Sequence, residues 1–230
     1  MTTVSPLVAP RPGWLLGVDT GVDQGEFDVP ALVAAGIAFA YHRATDGIND
    51  VDGQWIASSR ASVSAGLPFG AYGVLEPYTL DKVAAQASHF CDVVKDSGAT
   101  LAPWLDFELA HGVSGLVALQ AAAAWCDAVE QGLGIGVIVY TGPAFIETLE
   151  RYAGPAADEV LAKLATRPLA VAHYGVAKPA VPPPWYTPDE DGWTFWQSSG
   201  NGVAKLPWAP HRDVDVDWFR GTIVDLLALG

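Results

Sequence analysis

A chain of 230 residues is long enough to bury one sizeable core, and sheet-and-helix barrels use that many as a single domain. Half of the residues are hydrophobic and 17% are charged, a composition of compact globular proteins that excludes disorder as the default. Twenty-six acidic against 12 basic residues leave a net charge of -14 with no Lys/Arg patch, which argues against nucleic acid as a partner because its phosphates would be repelled.

The elements are taken in chain order. Met1 to Pro12 has neither a basic start nor an apolar run of signal-peptide length, so residues 1–13 are expected to be an extension on a chain made in the cytoplasm. No later stretch approaches the roughly 20 apolar residues of a membrane span, and no membrane partner is expected. Short apolar runs predict strands at Leu15 to Asp19, Ile37 to Arg43, Phe69 to Val74, Leu101 to Glu108, Val137 to Thr141, Leu169 to Tyr174, Thr194 to Gln197 and Val214 to Asp217. Amphipathic stretches between the first six predict helices at Pro30 to Ala35, Gly53 to Ala65, Asp81 to Ser97, Gly115 to Gly132, and Pro143 to Leu164 with a break at Gly154-Pro155. Gly36, Gly66, Gly98 and Gly134 follow helices where a left-handed cap belongs. Cys91 and Cys126 fall in apolar helical contexts and are read as free thiols.

Repeated strand and helix units imply a parallel sheet, and about eight strands imply closure, so the expected class is α/β: one irregular, TIM-like barrel over residues 14–230. Lys178 to Pro188 and Gly200 to Arg212 are too irregular for crossover helices, and the last strands should be joined by loops. An open doubly wound sheet is the alternative, but Gly132, Gly134 and Gly136 precede a strand instead of following one and make no phosphate loop.

In a parallel barrel the site lies at the C-terminal strand ends, which here supply Asp19, Arg43, Asp106, Glu108, Tyr140, Tyr174, Gln197 and Asp215. The sharpest feature is Trp104-Leu105-Asp106-Phe107-Glu108. Residues i and i+2 of a strand share a face, so Asp106 and Glu108 should meet at the mouth while Phe107 packs against helices. Crowded carboxyls resist joint ionisation, and one of them is kept as a general acid. Asp-x-Glu alone also serves to end a strand and cap a helix; the apolar strand before it and Asp19 and Asp215 at other strand ends favour a site. Tyr72, Tyr140, Tyr174, Trp104 and Trp196 are candidates for stacking on sugar rings, with barrel packing the competing reading. Tyr140 and Tyr174 are the stronger candidates and Trp104 the weaker, while Trp185 and Trp193 are placed at the rim. Arg43 either binds substrate or pairs with Asp19 or Asp46. The histidines His42, His89, His111, His173 and His211 have no metal spacing, so neither metal nor cofactor is expected. No Gly-x-Ser-x-Gly elbow is present to suggest a serine esterase.

Gly17-Val18-Asp19-Thr20-Gly21-Val22-Asp23-Gln24-Gly25-Glu26-Phe27-Asp28 resembles the opening of glycoside hydrolase family 25, the lysozymes of phages, bacteria and fungi. Arg43-Ala44-Thr45-Asp46-Gly47, Ala65 to Tyr72, Leu105 to Glu108, Val139-Tyr140-Thr141, Ala172-His173-Tyr174, Trp196-Gln197-Ser198 and Asp215 to Phe219 resemble its later motifs, so the likeness spans Gly17 to Gly221. It implies an irregular barrel that hydrolyses the β-1,4 bond between N-acetylmuramic acid and N-acetylglucosamine in peptidoglycan. By that likeness Glu108 is the proton donor. Asp106 either orients the substrate's acetamido group as internal nucleophile or is the nucleophile itself, and Asp19 and Asp215 complete the acidic floor. Tyr72, Tyr140, Tyr174, Gln197 and Arg43 are the substrate-binding candidates. Gly21, Gly73, Ala170 and Asp217 depart from the family's usual Ser, His, Trp and Asn. The departures at Gly21, Gly73 and Ala170 motivate the competing expectation of a barrel that only binds glycan or builds a virion or wall assembly. The expected setting is a monomeric, phage-type lysin acting on the wall after release.

Overall fold

The computed structural model describes residues 11–76, 79–186, 191–200 and 214–230. Alternation of element types runs as predicted: β1 (Trp14–Thr20), α1 (Val29–Ala34), β2 (Phe39–Asp46), β3 (Asp50–Val51), α2 (Trp55–Ala65), β4 (Phe69–Val74), α3 (Leu80–Val94), β5 (Trp104–Asp106), α4 (Gly115–Leu133), β6 (Ile138–Thr141), α5 (Pro143–Ala153), α6 (Ala157–Leu164), β7 (Leu169–Ala172), β8 (Phe195–Ser199), β9 (Asp215–Arg220) and α7 (Ile223–Leu227). Capping follows local chemistry. Asp28 accepts the Ala31 N–H at the start of α1, Ser114 accepts that of Val117 on α4, and Thr222 and Asp225 form a capping box on α7. The α5/α6 break falls at Gly154–Ala156, where proline permits only a single 3-10 turn.

Among the described residues, eight of the nine strands close a barrel in the order β1-β9-β8-β7-β6-β5-β4-β2, sealed by β1 against β2, with β3 a short hairpin return outside it. Within the barrel one strand departs from the parallel pattern: β9 is antiparallel to both β8 and β1. Asp215 therefore reaches the mouth because its strand starts there, whereas the sequence reading placed it at a strand's C-terminal end. The hairpin strand β3 and the terminal helix α7 were not foreseen; both are short and carry little periodic signal. The extension over residues 1–10, the end of the Pro-rich loop at 187–190 and nearly all of the expected irregular stretch, at 201–213, lie outside the described residues.

Alternation along the strands divides the core in two. Inward side chains Phe39, Tyr41, Trp104, Ile138, Tyr140, Phe195 and Phe219 fill the barrel, and outward ones such as Val18, Leu105, Val139, Val171, Trp196 and Trp218 pack toward the surrounding elements. No helix lies among the described residues between β7 and β8. On this side Trp14, Trp193, Trp196 and Trp218 pack edge to face, and the Arg11 guanidinium sits 4.6–5.1 Å from the centroids of three of those rings. The cluster covers apolar surface that a crossover helix covers elsewhere. It also corrects the placement of Trp185 and Trp193, which are buried beside Arg167 and Leu169 at the start of β7, at the end away from the mouth. Both cysteines are free, as expected.

Candidate active site

At the mouth Asp19, Tyr72, Trp104, Asp106, Glu108, Tyr140, Tyr174, Gln197 and Asp215 line an open pocket of about 480 Å³. β5 is the source of its central pair. Asp106 ends the strand, Phe107 turns outward, fully buried with its ring 5.0 Å from Phe145 of α5, and Glu108 emerges beyond it on Asp106's side. The i, i+2 rule thus holds even though the strand stops two residues earlier than the sequence suggests.

Asp106 is half-buried; burial, then the charges of Glu108 and Asp46, push its carboxyl well above the ordinary range, with Arg43 pulling the other way. Glu108 stands at the exposed rim, and its carboxyl is raised by partial burial and by Asp215. Asp46 is itself raised by burial and by Glu76, so the acidic field extends past the lining residues. Two groups that resist losing a proton, side by side and open to solvent, can hold one above the ordinary carboxylate range and deliver it to a bound oxygen.

From Tyr140, beside Asp106 on the neighbouring strand, a directed chain of hydrogen bonds runs to Asp19. The Tyr140 hydroxyl donates to Gln197 Oε1 at 2.7 Å, Tyr174 donates to the same oxygen, and Gln197 Nε2 donates to Asp19 Oδ2 at 2.5 Å. Burial raises the hydroxyls of Tyr72, Tyr140 and Tyr174, which stay protonated as donors. Asp19 is raised by burial and by Asp217 and Asp215, while the Gln197 amide favours its anion.

Of the candidates, the structure gathers Asp19, Asp106, Glu108, Asp215, Tyr72, Tyr140, Tyr174 and Gln197 in one pocket. Arg43 is not among the lining residues: its Nε lies 2.7 Å from Asp52, whose side chain is 1% exposed, and its Nη2 lies 3.3 Å from Asp23. This is the structural ion pair, with different partners from the two expected. Trp104 was undervalued: it is inward, stacks between Tyr41 and Tyr140 at 3.7 and 5.7 Å, and reaches the pocket. Being second inward from a strand end, it carried the periodic signature of core. Trp196 faces away, its indole N–H bonded to the His173 carbonyl, and His173 Nδ1 accepts the Ala180 N–H in a structural role. Asp217 was noted only as a departure, yet it shares the inward face with Asp215 by the same i, i+2 rule.

The other departures have physical explanations. A Cβ at Gly73 would meet Phe90 at 2.8 Å and Trp125 at 3.1 Å, on the helix side of β4. At Gly21 it would stand 3.1 Å from the Arg43 guanidinium. Ala170 lies in the same inward cluster as the Trp104 ring.

A closed α/β barrel presenting a proton-holding carboxyl pair, hydroxyl donors and aromatic walls in an open groove is built as a glycoside hydrolase. Residues 18–205 match the family model for glycosyl hydrolases family 25. The chain is 30% identical over 225 residues to Lysozyme M1 of Streptomyces globisporus, covering 93% of this chain and 70% of that one. An uncharacterized protein, YegX, of Escherichia coli K12 is 28% identical over 84% of this chain and 62% of its own length. Among solved structures, the lysozyme of Streptomyces coelicolor superposes with a TM-score of 0.75 at 28% identity, covering 94% of this chain and 96% of that one. The spore cortex lytic enzyme SleM of Clostridium perfringens does so at 0.77 and 25%, covering 95% and 71%. The chain belongs to glycosyl hydrolases family 25.

Proposed function

We propose that the chain cleaves the β-1,4 bond between N-acetylmuramic acid and N-acetylglucosamine in peptidoglycan, with Glu108 as proton donor. The observation that carries this reading is the placement of Asp106 and Glu108 on one wall of the open pocket, both carboxyls raised, with Glu108 the more exposed. Glu108 at the rim meets the departing sugar oxygen. Asp106, deeper, faces the anomeric side, where it either orients the substrate's acetamido group for internal attack or attacks directly. Both routes pass through a double displacement, so the product keeps the β configuration. Asp19 and Asp215 hold sugar hydroxyls, and Asp215 adds the negative field that keeps the Glu108 proton in place, while Tyr72, Trp104, Tyr140 and Tyr174 supply donors and ring faces.

A barrel that only binds glycan has no need of a raised carboxyl pair, and Gly21, Gly73 and Ala170 all lie outside the lining of the pocket. The polymer lies outside the membrane, so the place of action is the wall, reached after release from the producing cell, as a phage-type lysin would reach it. The test is digestion of purified peptidoglycan, reduction of the new ends and mass analysis. Reduced muramic acid ends are expected. Reduced glucosamine ends would reassign the bond, and no new ends from folded protein would end the enzymatic reading.

A further inference from the structure

We infer that Asp217 serves as a neutral carboxylic acid that donates its proton to Asp19, a positioning residue one layer beneath the pocket. The catalytic consequence rests on the glycosidase reading above; the proton itself does not.

On β9 the inward residues are Asp215, Asp217 and Phe219; Asp215 lies opposite Asp19 of β1, and Asp217 opposite Gly17 and next to Gln197 of β8. Asp217 is thus set below the Asp19/Asp215 level, in the row of Gly17 and Phe39, and above the inward rings Phe195 and Phe219. It is 0% exposed, and neither of its oxygens has a hydrogen-bond donor among the described residues. A buried carboxylate with no donor and no cation is among the most unfavourable groups a fold can hold, and it neutralises instead.

None of the groups acting on it from the packed elements is a cation. Asp19 on β1 and Asp215 on its own strand are acidic, Tyr41 on β2 is a buried phenol, and Gln197 on β8 directs its amide N–H to Asp19. Asp19 and Asp217 are close enough to hydrogen-bond, but two carboxylates have no proton to share; the contact is bonding only when one of them is protonated. The donors decide which. Asp19 already accepts from Gln197, which favours its anion, and Asp217 accepts from nothing described, so the proton resides on Asp217. Burial and, to a lesser extent, the charge of Asp215 raise the Asp217 carboxyl to about 8, while the contact with Asp19 acts in the opposite direction. With its proton in place, Asp217 and Gln197 hold the Asp19 carboxylate from two sides at the wall of the pocket. Loss of that proton sets three anions together, and Asp19 is no longer held.

The linkage sign is definite. Because the folded carboxyl titrates above the unfolded one, folding takes up a proton between the two values: stability is greatest at low pH and is lost as pH rises toward about 8. Asp217→Asn keeps the donor and the shape while removing the titration. Denaturant unfolding of wild type and Asp217→Asn from pH 5 to 8.5 is the test. The ratio of wild-type to variant folding constants is expected to fall by a factor approaching ten per pH unit and to level off near the top of the range. A ratio independent of pH overturns the proposal even if the protein proves to cut no glycan. In activity, Asp217→Asn is expected to turn over without the alkaline fall in kcat that Asp217 imposes, and Asp217→Leu to lose kcat at every pH. A folded Asp217→Asn that is inactive at neutral pH would mean that a charge is required, which also overturns the proposal. Should the variant not fold, the infrared band of a buried protonated carboxyl in the wild type at pH 6 replaces it, and its absence refutes the assignment.

Discussion

Replacing Glu108 by Gln tests the proton-donor role with little disturbance to the fold. The side chain stands at the rim, the amide keeps its volume, and removing one negative charge relieves repulsion on Asp106, whose carboxyl Glu108 raises. Stability should therefore not fall. Catalysis should, because a positioned acid contributes about 10²–10⁴ in rate, or about 3–5 kcal/mol of barrier, and Gln has no proton to give. The pH profile carries a second signature. Burial and Asp215 raise the Glu108 carboxyl, so the protonated, competent form persists above the usual carboxylate range and is lost as pH rises through the raised value. The part of the alkaline limb set by Glu108 should disappear from the residual activity of Glu108→Gln, leaving only the fall that Asp217 imposes. The assay is reducing-end release from purified wall, paired with an aryl glycoside whose leaving group departs without protonation. The variant should recover most of its lost rate on the activated substrate alone. A loss of less than tenfold on wall, or equal losses on both substrates, would refute the role.

Two further perturbations separate packing from chemistry. Gly73→Ala drives a methyl group to 2.8 Å from the Phe90 ring, and the strain of such overpacking is about 1–3 kcal/mol; denaturant unfolding should show it while kcat at permissive temperature stays within about twofold. Arg43→Ala strips the cation from Asp52, which keeps the backbone N–H groups of Val22 and Gln54, so the expected cost is roughly 2–3 kcal/mol, below that of baring a wholly buried charge. Its KM should change by less than about threefold, and a large rise in KM with unchanged stability would return Arg43 to the substrate.

What was legible in the sequence follows from which signals are local. Helix periodicity, the glycines after α2 and α4, and the Gly154-Pro155 break are written in neighbouring residues, and the structure places left-handed glycines at 66 and 134 where the pattern requires them. Strand direction is not local. Asp215-Val216-Asp217-Trp218-Phe219 alternates identically whichever way it runs, and only its pairing with β8 and β1 shows that it runs down the barrel from the mouth. The tryptophan-rich side was equally opaque, since Trp193 in a Pro-rich setting looks like a rim residue until its packing against Trp14 is seen.

The same division governs the site. Spacing alone was enough to set Asp106 and Glu108 on one side, because two residues along a strand restore the same face whatever surrounds it. Depth needs the whole barrel. Trp104 lies two residues below Asp106, and it meets the pocket only because Tyr41 and Tyr140 stack on either side of it. Asp217 lies two residues below Asp215 and by periodicity alone belongs to the same acidic set; being enclosed with no donor of its own makes it a different chemical object. Identical residues at identical spacing thus divide into a rim that exchanges protons with solvent and a floor that retains one, and the dividing factor is how far each carboxyl is removed from water once the strands have closed.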